Sequence, residues 1–97
     1  MSEIKFTWDE RKAESNQEKH GISFNEAESV FHDEYARLEY DPDHSEDEDR
    51  FLLLGMSRSL RILVVFHCYR EAEMVIRIIS ARKATKNEQR QYKGFLL

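Results

Sequence analysis

The first residues, Ile4-Lys5-Phe6-Thr7-Trp8, alternate apolar and polar and predict a short, half-buried strand. Asp9 follows at a position where its carboxylate can accept free backbone N–H groups, opening a helix over residues 10–20 that Gly21 closes. Ala13 is the only apolar residue of that helix. It therefore lies across the surface, pinned by Trp8, with Asp9, Lys12, Ala13, Asn16 and His20 on one face. Ser23-Phe24-Asn25-Glu26 reads as a capping box, with Ile22 and Ala27 as a hydrophobic staple. Phe24, Ala27, Val30 and Phe31 continue at helical spacing to about His32-Asp33, giving an amphipathic helix that packs on a sheet. Residues 35–40 alternate again as a strand. A polar, proline-containing, acidic loop occupies 41–49. Strands are predicted over 51–56, 61–69 and 74–82, and their short connections make them antiparallel neighbours. Thr85-Lys86-Asn87-Glu88 is a second capping box, opening a helix to about Lys93 before Gly94. The order is β-α-α-β-β-β-β-α, an α+β fold around one antiparallel sheet, expected as a single domain over 1–97.

Even-length connections would pair the last three strands so that Arg61 lies opposite Arg82 and beside Met56. One face then carries Leu54, Leu63, Val65, Ile78 and two arginines at the same end. Phe51, Leu53, Ile62, Val64, Phe66, Arg77 and Ile79 take the other face. An odd connection would slip this register and break the grouping.

Composition narrows the function classes. The chain has 97 residues, 40% hydrophobic and 35% charged. Its single cysteine excludes an internal disulfide and fits a reducing, cytoplasmic setting. No apolar run reaches the ~18 residues of a membrane span, and residues 1–5 have no signal-peptide stretch. The net charge of −4 opposes a nucleic-acid ligand at first sight. It is unevenly divided, however. Residues 1–50 hold 6 Lys+Arg and 16 Asp+Glu, whereas 51–97 hold 9 and 3. The net charges of the halves are −10 and +6, so the second half can build a basic surface. Arg61, Arg82, Lys83, Lys86 and Arg90 could hold a phosphate there. Alternatively they pair with Glu10, Glu14, Glu26 or Glu28. No helix is both basic and exposed enough to read a DNA groove alone. Gly21, Gly55 and Gly94 are isolated, so there is no glycine-rich phosphate loop.

The sequence resembles the BrnT family of type II toxin–antitoxin toxins. The likeness rests on Phe6-Thr7-Trp8-Asp9-Glu10 with Lys12 and Asn16, and on Lys19-His20-Gly21-Ile22-Ser23-Phe24 with Glu26-Ala27 and Val30-Phe31. It continues through Asp43-His44-Ser45, Glu48, Arg50, Gly55 and Ser57, then Ile76-Arg77-Ile78-Ile79-Ser80-Ala81-Arg82 with Ala84-Thr85, Glu88 and Tyr92. The resemblance implies a RelE-like fold and a small ribonuclease that arrests translation. It also implies a BrnA-like ribbon-helix-helix antitoxin, a 2:2 complex, and contact with operator DNA only through that antitoxin.

RNA cleavage without a metal needs a base for the 2′-hydroxyl, an acid for the leaving 5′-oxygen, and cations at phosphorus. Arg82, Arg61 and Arg77 are the candidate phosphate clamps. Glu88 and Tyr92, four apart on one helix face, are candidates for proton transfer, as is His20. For Glu88 the capping role competes, for Tyr92 packing on the sheet, for His20 a cap at its helix end. Lys19, Lys83, Lys86 and Arg90 are candidate RNA contacts. His67 reads as a core or rim histidine, and His32 and His44 have no evident partner. The acidic loop lacks the spacing and the glycine of a calcium loop, and Cys68 has no ligand at metal spacing, so neither a metal nor a cofactor is expected.

Overall fold

The computed structural model describes residues 4–44, 48–72 and 74–94. The elements are β1 (Lys5–Thr7), α1 (Glu10–His20), α2 (Phe24–Ser29), β2 (Arg37–Tyr40), β3 (Phe51–Met56), β4 (Ile62–Arg70), β5 (Val75–Lys83) and α3 (Lys86–Gly94). A 3-10 turn, Val30–His32, extends α2, and another, Pro42–His44, begins the acidic loop. This is the predicted order. Ser45, Glu46 and Asp47 of that loop, and Glu73, lie outside the described residues.

The caps act as the side-chain chemistry dictates. Asp9 accepts the amides of Arg11 and Lys12, and Gly21 leaves the helix at φ 70°, a conformation free of Cβ strain only for glycine. Thr85 and Glu88 form a reciprocal capping box, the Glu88 amide donating to Thr85 Oγ1 and the Thr85 amide to Glu88 Oε1. The box at Ser23 is only half made. Ser23 Oγ accepts the Glu26 amide, but the Glu26 carboxylate turns to Arg61 and Ser57. A bidentate guanidinium outcompetes a single backbone amide for a carboxylate.

The sheet order is β1-β5-β4-β3-β2. The sheet is mixed, correcting the antiparallel expectation, because β1 runs parallel to β5 while all other pairs are antiparallel. The two helices carry the chain from one edge, at β1, to the other, at β2. Alternation within a three-residue strand gives no signal of which neighbour it takes.

The register also differs from the prediction. Met56 pairs with Ile62, so the turn holds five residues, an odd number, closed by the Ser57 amide on the Arg61 carbonyl with Leu60 at φ 61°. Between β4 and β5, Val64 pairs with Arg82 and Phe66 with Ser80, but His67 pairs with Ile78. Ile79 is the extra residue of a β-bulge.

Two apolar clusters result, one on each face. Ile22, Phe24, Ala27 and Val30 cover Leu53, Leu63, Val65, Ile76, Ile78 and Ala81. On the other face Tyr92 and Ala84 pack on Leu54 and Val64. The approach at the first face is close. A Cβ on Gly55 would sit 2.8 Å from Ala36 Cβ and 2.9 Å from Val30 Cγ1, so only glycine fits.

α1 docks by polar contacts, since it has almost no apolar face. Its buried Asn16 donates to the carbonyls of Ile22 and Ala81, at 3.0 and 2.9 Å, and accepts the Ala81 amide at 3.0 Å. Ala81 lies on the edge of β5 beyond the reach of β1. The side-chain amide thus takes the place of a missing strand.

His67 is fully buried among Phe31, Phe51 and Tyr69. Its Nδ1 lies 3.1 Å from the Val65 carbonyl, which can only accept, so Nδ1 donates and Nε2 is left to accept the Tyr69 hydroxyl at 3.3 Å. Burial pushes its pKa down to about 4 from 6.5, against the Val65 carbonyl, which pulls upward. Below pH 6.5 the unfolded chain therefore takes up a proton that the folded chain refuses. Stability is complete above 6.5 and falls towards pH 4, by on the order of 3 kcal/mol. Urea unfolding near pH 7 and near pH 5 should show this loss, and His67→Phe should flatten the slope.

Candidate RNA-binding and catalytic site

Arg61 and Arg82 lie on opposite faces, not on one rim, because the bulge at Ile79 shifts the end of β5 by one residue against β4. Arg61 reaches α2. Its Nε donates to Glu26 Oε2 at 2.9 Å, and its Nη2 to Glu26 Oε1 and the Gly21 carbonyl. Glu26 is buried and also accepts Ser57 Oγ at 2.7 Å. The bond to Arg61, opposed by burial, holds its carboxyl below the usual range. The Nε/Nη2 fork of Arg61 is therefore consumed in joining α2 to the β3–β4 turn.

Arg82 is arranged differently. Nη1 and Nη2 donate to the two oxygens of Glu88, at 2.7 and 3.0 Å, and Nη1 also to the Lys83 carbonyl at 3.3 Å. This end-on grip leaves the Nε edge of the guanidinium without a partner among the described residues. The guanidinium sits 5.7 Å from the Phe66 ring centre. Arg50 sits over the same ring at 4.9 Å. The Arg82 bond, opposed by burial, pulls the Glu88 carboxyl down to about 2. Glu88 is a carboxylate at neutral pH and can accept a proton but holds none to donate.

The bulge decides what joins Arg82. Arg77 pairs with Cys68, and Arg82 with Val64. Both β4 positions are even-numbered and share a face, so Arg77 and Arg82 lie on the same side although they are five residues apart. This corrects the expectation that placed them on opposite faces. α3 covers one end of this face. The other end opens as a groove of about 550 Å³ lined by Lys12, Arg50, Arg70, Arg77 and Ile79, with Asp43, His44 and Glu48 along its border. A second groove shares Lys12 and Ile79 and adds Lys19 and His20. The α1 candidates therefore flank the arginine groove.

The acidic loop borders this site. Asp41 is buried, with Oδ2 3.0 Å from His44 Nδ1 and 3.6 Å from Arg50 Nε. His44 thus has a partner that the sequence did not reveal. Glu48 pairs with Arg70 at 2.9 Å. Among the described residues no three His, Cys, Asp or Glu side chains come together as metal ligands.

Tyr92 lies apart from this groove. It is buried, and its hydroxyl donates to Asp33 Oδ2 at 2.7 Å. Burial and then Asp33 push its pKa up to about 12. The same Asp33 oxygen accepts the Met56 amide. Burial raises the Asp33 carboxyl, but these bonds outweigh it and hold it below its usual value. Tyr92 thereby ties α3 to the end of β3. Lys83, Lys86 and Arg90 are exposed on β5 and α3. A larger groove of about 710 Å³ between α2 and Tyr92 is bordered by Arg58 and acidic Glu28 and Asp33, without a cluster of cations.

Sequence reasoning missed Arg50 and Phe66 as a pair. Phe66 reads as core in an apolar strand, and Arg50 as the end of an acidic loop. Only the pairing of β3 with β4 brings them together.

A family model described as "Ribonuclease toxin, BrnT, of type II toxin-antitoxin system" matches residues 8–88. The crystal structure of the Brucella abortus ribonuclease toxin BrnT, determined at 1.1 Å, aligns with a TM-score of 0.67 and 27% identity. The alignment covers 86% of this chain and 99% of that one. No curated protein matches the chain. With the family pattern running from Trp8 to Glu88, and so through every strand of the second half, the chain belongs to the BrnT family of ribonuclease toxins of type II toxin–antitoxin systems.

Proposed function

We propose that this chain is an endoribonuclease whose RNA site is the open end of the sheet face carrying Arg50, Phe66, Arg77 and Arg82. The observation that carries this reading is the pair of guanidiniums over Phe66, one of them with its Nε edge open. A phosphodiester accepts bidentately from such a fork, and a base can stack on the aromatic beside it. In cleavage the 2′-oxygen loses its proton and bonds to phosphorus, the P–O5′ bond breaks, and the 5′-oxygen gains a proton. Arg82, supported by Arg77, stabilises the charge that develops on the phosphoryl oxygens. Ionised Glu88 orients Arg82. His20 and Lys19 flank the groove as candidates for the proton steps and for further RNA contact, with Lys83, Lys86 and Arg90 as outer phosphate contacts.

The reaction proceeds without a metal and stops translation by destroying RNA in the cytoplasm. Neutralisation falls to a BrnA-like ribbon-helix-helix antitoxin in a 2:2 complex, through which alone operator DNA is bound. One observation favours a non-catalytic, antitoxin-binding homologue instead: Arg50, Arg70 and Arg82 each already face a carboxylate. The test is incubation of the purified chain with RNA in the presence of a chelator, with and without ribosomes. Discrete cleavage products support the enzyme. Intact RNA in both conditions, together with tight antitoxin binding, supports the homologue.

A further inference from the structure

The two edges of the sheet are treated differently. At one edge β1 is only three residues long, and Asn16 occupies both backbone groups of Ala81 beyond it. At the other edge β2 is bonded to β3 on one side, and all four of its residues are exposed. Leu38 is 49% and Tyr40 50% exposed, and Tyr35, just ahead of the strand, 51%. A strand of this kind is a template for another strand unless charge or shape prevents it.

Its charges do not prevent pairing with itself. Arg37 and Glu39 lie on one face, opposite Leu54 and Leu52, while Leu38 and Tyr40 lie on the other, opposite Leu53 and Phe51. A two-fold axis through Leu38, perpendicular to the sheet, sets Arg37 against the partner's Glu39 and Glu39 against the partner's Arg37. Leu38 then meets the partner's Leu38 on the opposite face. Both the ion pairs and the apolar contact are satisfied in this one register. Moving the axis to Glu39 would set like charges against each other.

We propose that β2 mediates an isologous antiparallel pairing of two copies of this chain, joining their sheets into one of ten strands. The dimer carries two reciprocal Arg37–Glu39 pairs, so a single charge reversal converts two attractions into two repulsions.

Sedimentation equilibrium of the purified chain, from about 1 to about 500 µM, tests this. Wild type should show a concentration-dependent dimer. Arg37→Glu and Glu39→Arg should each weaken it about tenfold or more, and the double reversal, Arg37→Glu with Glu39→Arg, should restore it. Circular dichroism of each variant confirms that these exposed substitutions leave the fold intact. A strictly monomeric wild type overturns the proposal, as does a dimer that neither single reversal weakens, or a double reversal that stays as weak as the singles.

Discussion

Replacing Arg82 by alanine is expected to lower RNA cleavage by the purified chain by about 100- to 1,000-fold, the usual cost of removing one donor from a developing anion. The argument is geometric. Arg82 is held at two Nη atoms by Glu88 and keeps its Nε edge, beside Phe66, open to a phosphate. Arg82→Lys keeps the charge but not the fork, so it should recover only part of the loss. Thermal unfolding should barely change. Glu88 retains its capping bonds to Thr85, and the ion pair removed is partly exposed, worth at most about 1 kcal/mol. Arg61→Ala should show the reverse pattern, losing stability first, because its fork is already spent on buried Glu26. Wild-type cleavage by a folded Arg82→Ala protein would remove Arg82 from the site.

Asn16→Ala is expected to cost about 3 kcal/mol of stability. Three hydrogen bonds disappear, and the Ala81 amide and the Ala81 and Ile22 carbonyls are left without their partner. For a domain of this size the loss corresponds to a fall of roughly 12–20 °C in melting temperature, read by circular dichroism. Asn16→Asp should be no better. A carboxylate still accepts the Ala81 amide but meets two carbonyls with no proton to offer. A melting temperature within a few degrees of wild type for Asn16→Ala would show that water or a backbone shift replaces the side chain.

Much of the fold is legible in the sequence because it is written locally. Asp9, Gly21, Ser23 and Thr85 mark helix ends through their own side chains or lack of them, and the alternating runs mark strands. The acidic and basic halves are equally plain. Long-range pairing is not written locally. The parity of the turn at 57–61 depends on Leu60 adopting a left-handed conformation, which leucine seldom does. Glu26 satisfies a local capping rule in sequence and then obeys a distant arginine. Of the candidate site residues, Arg82 with Glu88 and Arg77 share a face, Tyr92 packs into the covered end of that face and bonds Asp33, and Arg61 serves the opposite face. Lys12, Arg50 and Phe66 join the site from α1, from the loop before β3 and from β4, which no single stretch of sequence announces.

The extra residue at Ile79 has a consequence for how relatives are compared. Residues on either side of it are read in different frames, as codons are across a one-base insertion. A strand of the same length without the bulge would keep its hydrophobic character and still set the residue aligned with Arg82 opposite Leu63, in the apolar layer beside Val65. Two proteins could then share the Ile-Arg-Ile-Ile-Ser-Ala-Arg letters and differ in which arginine faces RNA. Conversely, a relative lacking an arginine at one of these columns could supply it from the neighbouring column by moving the bulge.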